Sequence, residues 1–202
     1  MASCALLLTL TWRTCSGVPV SAPSAEQYGD CSLRLRDLLR NISTLLRDGV
    51  LFHGIPPTDT DTVRVRSQDE TVLACAPTLT WGSSCTMQRN SSFSESECLS
   101  NIGKDLSFYA AALQSYCTLN LRTPVEVSLL SPTLEIIQWL WKTCPLMQNG
   151  ENYFSKDAAQ WPWKSDSFDN RVELKKIMRG FYVRTITINR AMGYIASGDH
   201  RK

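Results

Sequence analysis

Cysteine and arginine are the residues through which this chain could do chemistry. Eight cysteines are spread over 202 residues: Cys4, Cys15, Cys31, Cys75, Cys85, Cys98, Cys117 and Cys144. The run Cys75, Cys85, Cys98 lacks the two-residue gap of a zinc knuckle. The two histidines, His53 and His200, have no ligand partner at metal spacing. The expected metal and cofactor content is therefore none. Thiols so dispersed suit disulfides in an oxidising compartment. Arginine offers a planar fork that fits a partner's carboxylate. Arg184 and Arg190 stand in the last helix-forming stretch, Arg171 to Ala196, beside an apolar face of the kind that docks on another protein.

Catalytic chemistry finds no foothold. There is no glycine-rich phosphate loop, nucleophile elbow or metalloprotease helix. Asp59, Asp61, Asp69 and Glu70 read as a solvated loop rather than an acid–base pair. No catalytic residue is expected, and the chain reads as a protein that is not an enzyme. Hydrophobic residues make up 43% and charged residues 20%, which argues for a globular body. A net charge of +2 gives no field for nucleic acid.

The apolar run from Cys4 to Trp12, followed by the small residues Cys15, Ser16 and Gly17, fits a secretion signal. Residues 1–17 are therefore read as a signal peptide, which removes Cys4 and Cys15, and 18–202 as one domain. Asn41-Ile42-Ser43 and Asn90-Ser91-Ser92 are sequons, making Asn41 and Asn90 glycan acceptors. A signal, sequons and scattered cysteines together predict a secreted, extracellular protein. No stretch is apolar enough for membrane insertion.

Four helical stripes must position these groups. Helix A is expected from Asp30 to about Asp48, along Leu35, Leu38, Leu39, Ile42, Leu45 and Leu46, with Asp30 as N-cap and Gly49 as a left-handed C-terminal residue. Asn41 should project outward if it carries sugar. Helix B opens near Ser94, where Ser94 and Glu97 have capping-box spacing, and runs through Ile102, Leu106, Tyr109, Leu113 and Tyr116. Helix C is expected from Ser131 with Pro132 in its first turn, through Leu134, Ile137, Leu140, Trp141 and Cys144, stopped near Pro145. Helix D is entered through Ser167 or Asp169. Ile177, Phe181, Ile188, Met192 and Ile195 form its stripe, Arg184 falls on that stripe, and Arg190 lies near its edge. By spacing alone Arg190 reads as a complement to the helix C-terminal dipole. The Trp161-Pro162-Trp163 stretch reads as a cover over the core edge.

The three connections are about 45, a dozen and 20 residues long, against a usual few. Long, short, long is the pattern of an all-α, up-up-down-down four-helix bundle with long A–B and C–D crossovers. A different function on similar helices would be a secreted carrier of lipid or another apolar ligand, with Trp139, Trp141, Trp161 and Trp163 lining a cavity.

Several segments resemble the interleukin-12 alpha-subunit family, in the same order along the chain. Thr71-Val72-Leu73-Ala74-Cys75, followed by Cys85, is similar to its A–B loop. Cys98-Leu99-Ser100-Asn101-Ile102-Gly103-Lys104-Asp105-Leu106 resembles the opening of its helix B. Arg184-Thr185-Ile186-Thr187-Ile188-Asn189-Arg190-Ala191-Met192-Gly193-Tyr194 resembles its final helix. The resemblance implies a long-chain four-helix cytokine subunit of the interleukin-6 superfamily. It implies a disulfide-linked heterodimer with the receptor-like interleukin-12 beta subunit, signalling to T and natural killer cells through a cell-surface cytokine receptor. The interleukin-35 beta subunit is implied as a second partner.

Carried over by position, Cys85 makes the interchain disulfide, and Cys75 and Cys98 bridge the A–B loop to helix B. Arg190 enters an acidic pocket of the beta subunit with Tyr194 nearby, which displaces the dipole reading, and Arg184 is assigned to the same interface. Phe168 faces a receptor. The chain departs from the family where a cysteine after helix A and another in helix D are replaced near His53 and Lys175. In the crossover topology the start of A and the end of C share one end of the bundle. That favours a Cys31–Cys144 bridge with Cys117 free, and Cys117–Cys144 is the competing pair.

Overall fold

The computed structural model describes residues 25–56, 63–65, 70–76, 79–81, 87–89, 93–144 and 161–198. The segment 1–17, together with Cys85, Asn90, Asp59, Asp61, Asp69, Pro145 and His200, lies outside the described residues. Four long helices form the body: α1 (Ala25–Arg47), α3 (Glu95–Cys117), α4 (Pro124–Thr143) and α5 (Ser167–Ala196). A short helix α2 (Glu70–Cys75) and a hairpin of β1 (Leu79–Trp81) and β2 (Met87–Arg89) lie between α1 and α3. The hairpin is antiparallel, with Leu79 opposite Arg89 and Trp81 opposite Met87. Strands this short carry no readable alternation, so the hairpin has no signature in the residue pattern.

α1 begins before the expected Asp30, because Tyr28 and Cys31 already belong to its buried stripe with Leu35, Leu38, Ile42 and Leu45. The Tyr28 hydroxyl donates to Glu95 at the start of α3. The helix ends at Arg47, and the carboxylate of the next residue, Asp48, accepts from the backbone N–H groups of Val50 and Leu51, both at 2.8 Å. That turn replaces the expected left-handed Gly49. The left-handed glycine comes later, at Gly54 with φ 75°.

α3 is capped by Ser94, whose hydroxyl accepts from Glu97 N–H at 3.3 Å. α4 begins well before the expected Ser131. Pro124 occupies its first turn, and Thr123 forms a full capping box with Glu126. Thr-Pro-Val-Glu is the stronger start signal, and Pro132 lies inside the helix on its exposed side. The connection from α3 to α4 is therefore only residues 118–123. α5 is capped by Asp166, which accepts from Asp169 N–H at 3.0 Å, rather than by Ser167 or Asp169.

Single contacts fix the sense of each packed pair. Near the start of α1, Gln27 Nε2 donates to Thr143 O at the end of α4. Further along, Thr133 Oγ1 of α4 donates to Asn41 Oδ1. These two helices are antiparallel. Asn189 Nδ2 donates to Leu35 O at 3.0 Å, and Lys175 Nζ to Ile55 O at 3.3 Å, so α5 also runs against α1. Phe93 meets Tyr194, and Tyr109 stacks on Phe181 with centroids 4.3 Å apart, so α5 runs against α3 as well. The four stripes close on one core, in which Leu35, Leu106, Tyr109, Leu140 and Phe181 are all fully buried. Each such side chain contributes about 1.5–3 kcal/mol through burial.

Two disulfides join the elements: Cys31–Cys144 between α1 and the end of α4, and Cys75–Cys98 between α2 and α3. Cys117 is free. The strap Val63–Val65 crosses α5 at Gly180. Arg64 N–H donates to Lys176 O at 3.3 Å, and Arg64 forms an ion pair with Glu173. A Cβ at position 180 would lie 2.0 Å from Arg64 O, so only glycine permits the crossing. Among the described residues no helix is long and apolar enough to cross a membrane.

Candidate functional site

α5 supplies the residues expected to meet a partner, and it sorts them by face. Leu174, Ile177, Met178, Phe181, Ile188, Met192 and Ile195 turn into the core, as their helical spacing dictates. Arg190 points away from that face and is exposed, and it forms no ion pair with a described residue. It is not in the last turn of α5, which contains no basic residue, so the dipole reading fails on distance. Its neighbour Asn189 pins α5 to α1 by donating to Leu35 O. One turn on, Tyr194 is half-buried, with its ring edge-on to Phe93 at 5.3 Å. The helix backbone beneath Arg190 is thus held on both sides while its guanidinium stays in solvent.

Arg184 does not share that surface. It was expected beside Arg190, but it is only 4% exposed. Its Nε lies 3.4 Å from Oδ2 of Asp105, which is fully buried on α3. Thr71 of α2 donates to the same oxygen at 2.6 Å. The physical reason was present in the sequence: Arg184 stands on the apolar stripe, and a guanidinium there must enter the core. Asp105 was missed. It falls between Ile102 and Tyr109 on the α3 stripe, and an acid at such a position signals an internal partner for a base on a facing stripe.

Phe168 opens α5 and is 39% exposed, with the Arg171 guanidinium 5.9 Å from its ring centroid. Arg171 Nη1 also donates to His53 O at 3.2 Å. Lys175 Nζ lies 5.8 Å over the Phe52 ring and bonds Ile55 O. Arg171 and Lys175 of α5 therefore both hold the loop after α1.

Asn41 is half-buried rather than outward-facing, because its carboxamide oxygen accepts from Thr133 across the α1–α4 seam. Glycan attachment uses the amide nitrogen, so that bond leaves the acceptor atom available. Cys117 is half-buried, and burial pushes its thiol pKa up. Burial, followed by the neighbouring Glu126 carboxylate, also raises that of Tyr116.

Trp139, Trp141, Trp161 and Trp163 are each packed against neighbours. Trp139 lies 5.0 Å under the Arg34 guanidinium, and Trp141 is buried in the core. Trp161 leans on Phe108, and Trp163 on Tyr116 while donating from Nε1 to Ser115 Oγ at 2.8 Å. Asn170 clips this segment to α5 through two bonds to the Lys164 backbone. Tyr116, Leu121, Arg122 and Ser167 border a shallow hollow that encloses no ligand-sized volume. Nothing among the described residues supports the carrier reading. Among the described residues no group of three His, Cys, Asp or Glu could hold a metal.

Comparison with known proteins bears on these features as a whole. The family model described as interleukin-12 alpha subunit matches residues 1–198. Interleukin-12 subunit alpha of Homo sapiens is 26% identical over 198 residues, covering 88% of each chain. The same subunit of Mus musculus is 24% identical over 200 residues, covering 89% of this chain and 88% of its own. That of Equus caballus is 26% identical over 199 residues, covering 88% and 86%. With nearly its whole length matched and its four long helices packed on one core, the chain belongs to the interleukin-12 alpha-subunit family.

Proposed function

We propose that this chain is a secreted, non-catalytic cytokine subunit that pairs with the interleukin-12 beta subunit. The observation that carries the reading is the state of Arg190 in a chain of this family. It is an exposed guanidinium, without an ion pair among the described residues, on a helix locked to α1 and α3. A fork held ready in this way suits an acidic pocket on a partner, with Tyr194 beside it. Cys85 supplies the covalent link. It lies in chain order between β1 and β2, beyond the Cys75–Cys98 anchor of the same connection.

Phe168, at the other end of α5, is the receptor-facing aromatic in this reading. The separation of the two ends lets one rod serve both tasks. The opposed directions of α1 against α4 and α5, and of α3 against α5, support up-up-down-down wiring. Residues 1–17 are removed on export, leaving 18–202 as the mature domain, and Asn41 and Asn90 are its glycan acceptors. The interleukin-35 beta subunit is a second partner for the same face.

The test is co-expression with each beta subunit, followed by non-reducing electrophoresis and gel filtration. A covalent heterodimer is expected with the interleukin-12 beta subunit, and Cys85→Ser should convert it to a non-covalent one. A covalent pair that survives Cys85→Ser would remove Cys85 from the link, and no association of either kind would overturn the reading.

A further inference from the structure

Glycine inside a helix lowers stability, because it gives up backbone freedom on folding and brings no side chain to pack. α5 holds two such glycines, Gly180 and Gly193, both short of its end at Ala196. Gly180 has its reason within the chain: the main chain of Arg64 crosses there, and a Cβ would lie 2.0 Å from Arg64 O. Gly193 has no such reason. A Cβ placed on it meets no described atom within 4 Å. Nor does it stop the helix, since the left-handed residue past the end is Gly198, at φ 70°. Gly193 follows Arg190 by three residues, about 4.5 Å along the axis and about 60° round it. On the two flanks of this stretch Asn189 bonds Leu35 O of α1, and Tyr194 meets Phe93 just ahead of α3. The notch over Gly193 and the fork of Arg190 therefore open on one outward face. Val183, two turns before Arg190 and 52% exposed, adds apolar surface to the same face.

We propose that Gly193 is a point of close approach for the beta subunit: a stretch of the partner's main chain lies over it, beside the acidic group that receives Arg190. The inference rests on the reading of Arg190 given above. The strap at Gly180 is the precedent on the same helix, for there Arg64 N–H comes close enough to donate to Lys176 O at 3.3 Å. A missing Cβ lets an incoming chain sit deeper against the helix. A fork one turn away then reaches further into its pocket. Glycine at 193 sets the depth of the seat, and Arg190 supplies its charge.

Gly193→Ala and Gly193→Leu fill the notch in two steps, and Arg190→Ala is the comparison. Each is made in the full chain carrying Cys85→Ser, so that covalent capture does not mask a change in affinity. The readouts are the melting temperature of the free chain, the Kd of its complex with the interleukin-12 beta subunit, and the mass of the free chain by light scattering.

Gly193→Ala should raise the melting temperature by about 2–4 °C, the gain expected for alanine over glycine at an open helical position. The same change should weaken the affinity about tenfold, and Gly193→Leu about a hundredfold, as overfilling a packed contact does. A gain in stability joined to a loss of pairing cannot come from damage to the fold. Unchanged affinity in both variants overturns the proposal. So does a lower melting temperature for Gly193→Ala, which would mean that the chain's own residues fill the notch. If Gly193→Leu spares the heterodimer and instead breaks up a homodimer of the free chain, the occupant is a second copy and the proposal falls. Arg190→Ala separates the two layers. If it weakens pairing while the Gly193 variants do not, only the close approach falls. If none of the three changes pairing, the reading of Arg190 falls with it.

Discussion

Arg184 and Arg190 lie six residues apart on α5, about 9 Å of axial rise and well round the helix from one another. The first faces Asp105 in the core and is 4% exposed. The second stands in solvent with no ion pair among the described residues. The two side chains have the same chemistry, so the difference is one of address. A guanidinium cannot shed its proton on burial, so an interior one demands an internal acid and has little left for a partner. An exterior one keeps its donors free. On a helix that meets two neighbours and a proposed third, being on the stripe or off it separates an arginine that organises the fold from one available for recognition.

The largest effect should come from breaking the interior half of that contrast. Asp105→Ala strands Arg184 in the core and should cost about 3–5 kcal/mol of stability in urea unfolding. Replacing both, as Asp105→Leu with Arg184→Met, should recover most of the loss, because a packed apolar pair avoids the desolvation of two charges. If Asp105→Ala costs less than about 1 kcal/mol, Arg184 finds solvent easily and the contrast collapses. Next in size is the exterior half. Arg190→Ala should leave stability within about 0.5 kcal/mol. It should weaken pairing with the beta subunit by about 2 kcal/mol or more, roughly thirtyfold in Kd, as measured by surface plasmon resonance. A drop in stability with unchanged affinity would reverse the two roles.

The smallest effect extends the contrast to groups that can stay neutral. Tyr116 and Cys117 answer burial by holding their protons, with pKa values raised above the ordinary 10.0 and 9.0. Above pH 9 the unfolded chain then binds fewer protons than the folded one, so stability falls as pH rises. It is fully present below the unfolded values. A shallow decline in melting temperature from pH 8.5 upward is expected, flattened in Cys117→Ser at its lower end. A rise over that range would contradict both shifts.

Much of the bundle was legible because its signals are local and periodic. The α3 start at Ser94 and the stripes of α3 and α5 follow from side-chain spacing alone. Where two local signals compete, the stronger one lies earlier in the chain. Ser-Pro at Ser131 and Pro132 resembles a helix start, but Thr123 and Pro124 with Glu126 complete a reciprocal cap that the later pair lacks. The early start of α1 was hidden by Gly29 and Asp30, residues that discourage helix unless tertiary contacts such as Tyr28 with Glu95 decide. Of the site, the orientation of Arg190 and the burial of Arg184 were implicit in their places on the helix. The Asp105–Thr71 contact was not legible, since it depends on how the connection between α1 and α3 folds back. The same limit hid the passage of Arg64 over Gly180.

The Cys31–Cys144 bond closes a covalent ring that encloses α2, α3 and α4 and all but the first residues of α1. α5 stands outside it, and no cysteine follows Cys144. One peptide-bond cleavage between 145 and 166 would therefore yield two molecules, an intact three-rod cradle and a detachable fourth. The rod bearing Arg190 becomes, in effect, an exchangeable cartridge. A synthetic 161–198 peptide with altered chemistry at position 190 could be docked into a nicked cradle, which would open the proposed recognition surface to side chains that ribosomal synthesis does not supply.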